Sequence, residues 1–276
     1  MQVESVFSGK LFKGKTVFIT GGGSGINLGI ARNFAALGAN LALCGRRVAV
    51  LESAAEELRG LGARVATEPA DVRDFDAVAA ALEHSRRELG PVDVLVCGAA
   101  GNFMCAAEKL SANGFRSVVD IDLIGAFNTS RAAFEQLQQT RGSILFISAG
   151  QAFVPFPHQV HVGAAKAGID LMMKNLALEW GRFGIRCNSI APGFIGDTEG
   201  TERMATPRMR EAMVLGAPLG RLGTVDDIGQ MAAFLASPLA SYVTGTVTVV
   251  DGGYYLGGSS RFAETLRAEA GAGAVA

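Results

Sequence analysis

KTVFITGGGSGINLGIAR, running from Lys15 to Arg32, changes its periodicity halfway along. Val17, Phe18 and Ile19 form an apolar run of strand type, Thr20 to Gly25 break it, and Ile26, Ile30, Ala31, Phe34 and Ala35 then recur at helical spacing. Strand, glycine turn and helix in that order make a phosphate cradle. Glycine lets the backbone approach a pyrophosphate, and the helix start offers unpaired N–H groups and the positive end of its dipole. Gly21, Gly23, Ser24, Gly25 and Ile26 are the expected contacts. The spacing is Gly21-x-x-x-Gly25, and Asn27 stands where a further glycine would be sought. Asn enters the left-handed region more easily than most residues, so the turn is expected to survive. Taken alone, the cluster also suits a plain tight turn.

Outward from this stretch, strand and helix alternate. Strands are predicted at 16–20, 40–44, 64–68, 93–97, 143–147, 186–190 and 246–250, and helices at 25–37, 48–60, 74–89, 111–138, 160–182 and 225–236. Short apolar strands between patterned helices predict an α/β fold, a single-domain doubly wound (Rossmann-type) seven-stranded parallel sheet with helices on both faces. Its core is expected over about 14–253, with a substrate loop at about 194–217. A C-terminal tail at 259–276 is expected to hold a short helix at 262–269.

Composition narrows the function. Of 276 residues, 49% are hydrophobic and 18% charged, which allows a large core and excludes global disorder. A net charge of −1 gives no sign of a nucleic-acid surface. No apolar run reaches membrane-spanning length, and the N-terminus has no secretory signal. Cys44, Cys97, Cys105 and Cys187 are scattered without a CxxC pair, and the three histidines lack metal spacing. No metal is expected, and a reducing cytoplasm is the expected location.

Right-handed crossovers bring every strand's C-terminus to one edge, where ligands bind. Arg46 and Arg47 follow the second strand, where an acid would accept from a ribose 2′-hydroxyl; arginine instead grips a 2′-phosphate, pointing to NADP(H), although a solvated pair at a helix start also fits. Asp71 suits either an adenine amino group or the N-cap of the helix near Asp74. Small residues, Gly98 to Gly101, follow the fourth strand where a cofactor must pass close to backbone.

Together, the glycine turn, Asp71-Val72, Ala99-Ala100-Gly101, Pro192-Gly193 and Asp251-Gly252-Gly253 resemble the short-chain dehydrogenase/reductase family over about Gly14 to Gly253. The resemblance implies that Val72, Ala99, Ala100, Gly101, Pro192, Gly193 and Ile195 line the cofactor, the proline-glycine element lying at the nicotinamide. It also exposes a departure. The family's Tyr, four residues before Lys166, falls on Val162; its Ser falls on Ala149 and its Asn on Asp122. Valine and alanine cannot donate a proton.

Peroxisomal-type 2,4-dienoyl-CoA reductases show the same departure, and AAGNF (99–103), DID (120–122), QVH (159–161), AKAG (165–168), GDTEG (196–200) and SPLASYVTG (237–245) resemble that branch. The resemblance implies that Asp122 and Lys166 replace the Tyr–Ser pair, Asp122 holding a water that delivers the proton and Lys166 also binding the nicotinamide ribose. It implies NADPH as cofactor, an acyl-CoA substrate and a homotetramer packed through the helices at 111–138 and 160–182. Asn102 is a candidate donor to the thioester oxygen or a turn residue, Phe103 is its apolar neighbour, and His161 and Asp170 are further candidates at the substrate. Arg203, Arg208 and Arg210 offer charge for CoA phosphates or form a solvated lid. The alternatives are a carbonyl/3-oxoacyl reductase or alcohol dehydrogenase using His161 or water as acid, and a catalytically inactive cofactor-binding subunit.

Overall fold

The computed structural model describes residues 10–198 and 206–259; Arg203 and the expected helix at 262–269 lie outside them. Seven strands form one sheet: β1 (Thr16–Thr20), β2 (Asn40–Gly45), β3 (Val65–Pro69), β4 (Val92–Cys97), β5 (Ser143–Ile147), β6 (Arg186–Pro192) and β7 (Val247–Val250). They pair in the order β3-β2-β1-β4-β5-β6-β7, every pair parallel. Each boundary falls within two residues of the sequence expectation.

Alternation along the strands divides the core between two faces. Val17, Ile19, Leu41, Leu43, Val94 and Val96 turn to one side, against α1 (Gly25–Ala36), α2 (Val48–Gly60) and α8 (Val225–Ala236). Phe18, Ala42, Leu95, Ile144 and Phe146 turn to the other, against α3 (Phe75–Leu89), α5 (Gly125–Thr140) and α6 (Val160–Trp180). Both faces are dry, so the strands read as continuous apolar runs rather than alternating ones. Each large side chain buried here contributes about 1.5–3 kcal/mol.

Two elements differ from expectation. The helix expected over 111–138 is α4 (Ala112–Val119) and α5 joined by a π-turn, Asp120–Ile124. The wider turn adds one residue to the rise and rotates the segment that carries Asp122. The second is α7 (Pro207–Gly216), a helix inside the expected substrate loop. Thr206 caps it, its hydroxyl accepting from the Met209 N–H, and Pro207 occupies its first position, where the missing N–H costs nothing.

The strand order reverses between β1 and β4, opening a crevice at their C-terminal ends. Thr20 ties the two strands together there. Its Oγ1 accepts from the N–H groups of Gly98 (3.0 Å) and Ala99 (3.2 Å).

Candidate active site

A cleft of about 550 Å³ runs along this edge from the glycine turn to the segment after β7. Gly21 and Gly25 hold the turn with φ of +68° and +56°, a region other residues enter only with strain. Gly23 is needed for closeness: a Cβ there would meet Val50 of α2 at 2.9 Å. Ser24 precedes α1 in extended conformation and makes no side-chain cap, which leaves the first-turn N–H groups to an incoming anion.

Asn27 does not take the left-handed conformation expected of it. It lies in α1, and its amide donates to the Gly98 carbonyl at 2.8 Å and weakly to Gly21 at 3.4 Å. The turn survives because its two left-handed positions are both glycine, while Asn27 bridges the loops after β1 and β4.

Arg46 and Arg47 are exposed on the cleft at the start of α2. Asp71 also lines the cleft, but it is not a cap. Asp74 caps α3, accepting from the Ala77 N–H, whereas Asp71 is gripped by Arg73 at 2.6–3.1 Å. That guanidinium holds the Asp71 carboxyl below the usual carboxylate range. Val72 lies flush against α5, where a Cβ on Gly125 would come within 2.5 Å of it. Gly193, after β6, packs so closely on Asp251 that a Cβ would fall 2.6 Å from the Asp251 Cα. Gly21, Gly23, Ser24, Gly25, Ile26, Val72, Ala99, Ala100, Pro192, Gly193 and Ile195 all line the cleft. The glycine cradle, the uncapped helix and the small-residue wall fit a dinucleotide.

Beyond Ala100 the wall becomes a side-chain construction. Asp122 leaves the π-turn fully buried, its Oδ1 accepting from the Gly101 N–H at 2.7 Å and its Oδ2 lying 3.0 Å from Lys166 Nζ. Lys166 also donates to the Ile147 carbonyl at 2.9 Å. Lys166 reaches the cleft and Asp122 does not, because the carboxylate is spent on Gly101 and the ammonium beneath the surface. Of the pair, Lys166 faces the cleft and Asp122 lies behind it.

The tyrosine position is filled by packing: Val162 is buried with Val118 and Ala165. Asn102 lines the cleft and accepts from Gln159 Nε2 at 3.0 Å through its Oδ1, which leaves its own amide hydrogens to a ligand. Phe103, His161 and Asp170 do not line it. The His161 ring is wholly buried and stacks on Phe103 at 4.4 Å between centroids. Asp170 lies beneath the wall near Ser148 and Ser189, and burial lifts its carboxyl above the ordinary value; Lys166 pairs with Asp122 instead of with it.

Several wall residues carry no local sequence signal. Gln159, Phe156, Phe194, Tyr255, Met209 and Met213 converge from four segments at the far end of the cleft. Only the methionines, spaced i, i+4 behind Thr206-Pro207, were findable, by recognising α7 as a helix. Arg210 of the same helix donates to the Gly196 carbonyl at 3.3 Å. Cys44, Cys97 and Cys187 are buried thiols, each pushed up to about 12 by burial, and are inert packing groups. Among the described residues no cluster of metal-ligating side chains occurs, and no helix is long and apolar enough to cross a membrane.

The family model for enoyl-(acyl carrier protein) reductase matches residues 21–255. The chain is 46% identical, over 89% of its length and 85% of the relative's, to the peroxisomal (3E)-enoyl-CoA-producing 2,4-dienoyl-CoA reductase of Saccharomyces cerevisiae. It is 40% identical, over 88% of its length and 97% of the relative's, to a probable (2E)-enoyl-CoA-producing 2,4-dienoyl-CoA reductase of Bacillus subtilis. Among solved structures, a short-chain dehydrogenase from Bacillus anthracis superposes with a TM-score of 0.80 at 39% identity, covering 88% of this chain and 97% of that one.

Proposed function

Because the chain belongs to the short-chain dehydrogenase/reductase family and is an oxidoreductase, we propose that it reduces a 2,4-dienoyl-CoA with NADPH to a 3-enoyl thioester. The observation that carries this reading is the buried Asp122–Lys166 pair beside a cleft whose tyrosine and serine positions are Val162 and Ala149. A ketone requires an acid at its oxygen, and neither residue is one. A conjugated thioester requires a proton at carbon instead. Both relatives' names give a 2,4-dienoyl-CoA as substrate; the Saccharomyces cerevisiae name gives the 3-enoyl product proposed here, and the Bacillus subtilis name a 2-enoyl product.

NADPH, when bound, supplies a hydride to the far end of the conjugated system. Negative charge then develops on the thioester oxygen, where the free Asn102 amide is placed to donate. An ammonium has three hydrogens. The Ile147 carbonyl engages one from Lys166 and the Asp122 carboxylate pairs with the ammonium at 3.0 Å, which leaves a hydrogen for a cleft water or the nicotinamide ribose. That water protonates the carbon next to the carbonyl, the ammonium replaces the proton, and bulk solvent restores the ammonium. Asp122 orients Lys166. Arg46 and Arg47, exposed on the cleft after β2, would hold a 2′-phosphate, and their position there supports NADPH over NADH.

The same reading includes a homotetramer, supported by apolar side chains left exposed along the π-turn, α5 and α6: Ile124, Phe127, Leu171 and Leu178. A cytoplasmic location is supported by four free cysteines. The test is cofactor oxidation against 2,4-dienoyl-CoA, 2-enoyl-CoA, 3-oxoacyl-CoA and simple ketones, with NADPH and NADH. Dienoyl-CoA with NADPH is expected to lead. Efficient ketone reduction without dienoyl activity would overturn the reading.

A further inference from the structure

The dienoyl-CoA reading leaves a chemical gap, since the charge reaching the thioester oxygen must be met without the family's tyrosine or serine. Asn102 approaches from the β4 side of the sheet. A second group approaches from the β7 side, and it is Tyr255.

The chain after β7 is built to hold this residue. Gly252 and Gly253, at φ of +64° and +86°, fold it back over the cleft. The Asp251 carboxylate then accepts from the N–H groups of Gly253 at 2.8 Å and Tyr255 at 2.7 Å, fixing the turn. The Tyr255 ring stands edge-on to Phe153 at 5.7 Å and to Tyr254 at 5.6 Å. It lies directly on Gly150, where any Cβ would fall 1.8 Å from its Cζ. Gly150 immediately follows Ala149, the position of the missing serine. The phenol therefore stands beside the backbone from which a serine hydroxyl would have projected.

Its hydrogen is available. The Tyr255 hydroxyl oxygen is met by the Gly150 backbone N–H, and among the described residues its hydrogen finds only the Pro192 carbonyl, at 3.5 Å, the outer limit of a hydrogen bond. Burial raises the phenol to about 12, so it is a neutral donor at every working pH. The neighbouring polar groups are more committed. Gln159 spends its amide on Asn102 and Phe103, at 3.0 and 3.5 Å, and the Ser148 hydroxyl faces the buried Asp170 carboxyl.

We infer that Tyr255 donates its phenolic hydrogen to the thioester carbonyl oxygen of the substrate, replacing from the C-terminal segment the hydroxyl that α6 and β5 lack. The hydrogen bond strengthens as charge builds on that oxygen and weakens again when the carbon is protonated; the phenol keeps its proton throughout. Tyr255 and Asn102 then form a two-donor site for the oxygen, and Lys166 serves the carbon. This rests on the dienoyl-CoA reading above.

The test uses Tyr255→Phe in the full chain, which keeps the ring, its packing on Gly150 and both aromatic neighbours. Removing one such donor typically lowers turnover about 100- to 1,000-fold. That loss is expected in kcat with 2,4-dienoyl-CoA, with NADPH affinity unchanged. A second readout is the ultraviolet absorption of 2,4-dienoyl-CoA bound with NADP+, a complex that cannot react. Polarisation of the carbonyl shifts the conjugated band to the red in the wild type, and Tyr255→Phe is expected to lose most of that shift. Wild-type turnover with a Tyr255→Phe rate within twofold and an unchanged band would overturn the assignment alone. A change confined to KM would also overturn it, since the hydroxyl would then serve only ground-state binding. A wild type that does not reduce dienoyl-CoA would remove both the assignment and the reading beneath it.

Discussion

The two ends of the cleft are made of different material. At the β1–β2 end the cradle is backbone: left-handed glycines, an uncapped helix start, and glycines that allow elements to touch. At the β5–β7 end the wall is side chain: Lys166 from α6, Asp122 from a π-turn, Asn102 and Tyr255 from separate loops. Backbone recognition accepts any ligand carrying the same phosphates, so it persists while chemistry changes. Side-chain recognition specifies the chemistry, and single substitutions there can redirect it.

The largest expected effect lies at the side-chain end. General acid–base groups contribute about a hundredfold to ten-thousandfold in rate, and Asp122→Ala is expected to lose turnover within that range while NADPH affinity stays near wild type. Lys166→Ala should damage both, because the ammonium is proposed also to serve the ribose. Separate kcat measurements and NADPH titrations distinguish the two patterns. Full turnover of dienoyl-CoA by Asp122→Ala would break the division between the ends.

At the backbone end the exception is Arg46, a side chain on the cleft proposed above to choose between two otherwise identical cofactors. A charge-assisted hydrogen bond is worth about 1.5–3 kcal/mol, or roughly 10- to 150-fold in affinity. Arg46→Asp should weaken NADPH by at least the lower figure and leave NADH nearly unchanged, read by fluorescence titration. Retained NADPH preference in the variant would remove Arg46 from the phosphate site.

The smallest effect is expected at Val162. Tyr at this position must enter a packed cluster with Val118 and Ala165, and overpacking typically costs about 1–3 kcal/mol. Val162→Tyr should therefore lower the melting temperature and gain little dienoyl-CoA turnover. A stable variant with strong ketone reduction would show that only the missing phenol separates this site from a carbonyl reductase.

The difference between the ends also sets what the sequence could reveal. Glycine turns and buried strands leave local marks, so all seven strands were legible from spacing alone, whereas the glycine turn, which also suited a plain tight turn, gained its meaning from the family resemblance. Asp122 and Lys166 were legible only through family resemblance, and their 3.0 Å pairing depends on the π-turn, a one-residue insertion with no residue type of its own. His161 and Asp170 flank Lys166 in sequence, but α6 rotates them into the protein and off the cleft. Tyr255 was overlooked because its relation to Gly150 is 105 residues distant and passes through the glycine turn after β7. For α7, Thr206 and Pro207 mark a helix start in the sequence, but the segment behind them, with Arg208 and Arg210 among its first four residues, reads as a charged loop as readily as a helix.

The most direct test of the Asp122–Lys166 pairing is a double-mutant cycle on dienoyl-CoA turnover with saturating NADPH. Asp122 meets the cleft wall at Lys166 and at the Gly101 N–H; if its effect on turnover runs through Lys166, removing Asp122 once Lys166→Ala is present should cost little more. The double variant is expected to fall near the worse single variant. Losses that multiply would mean that the two residues act independently, and would contradict a single proton-delivering unit.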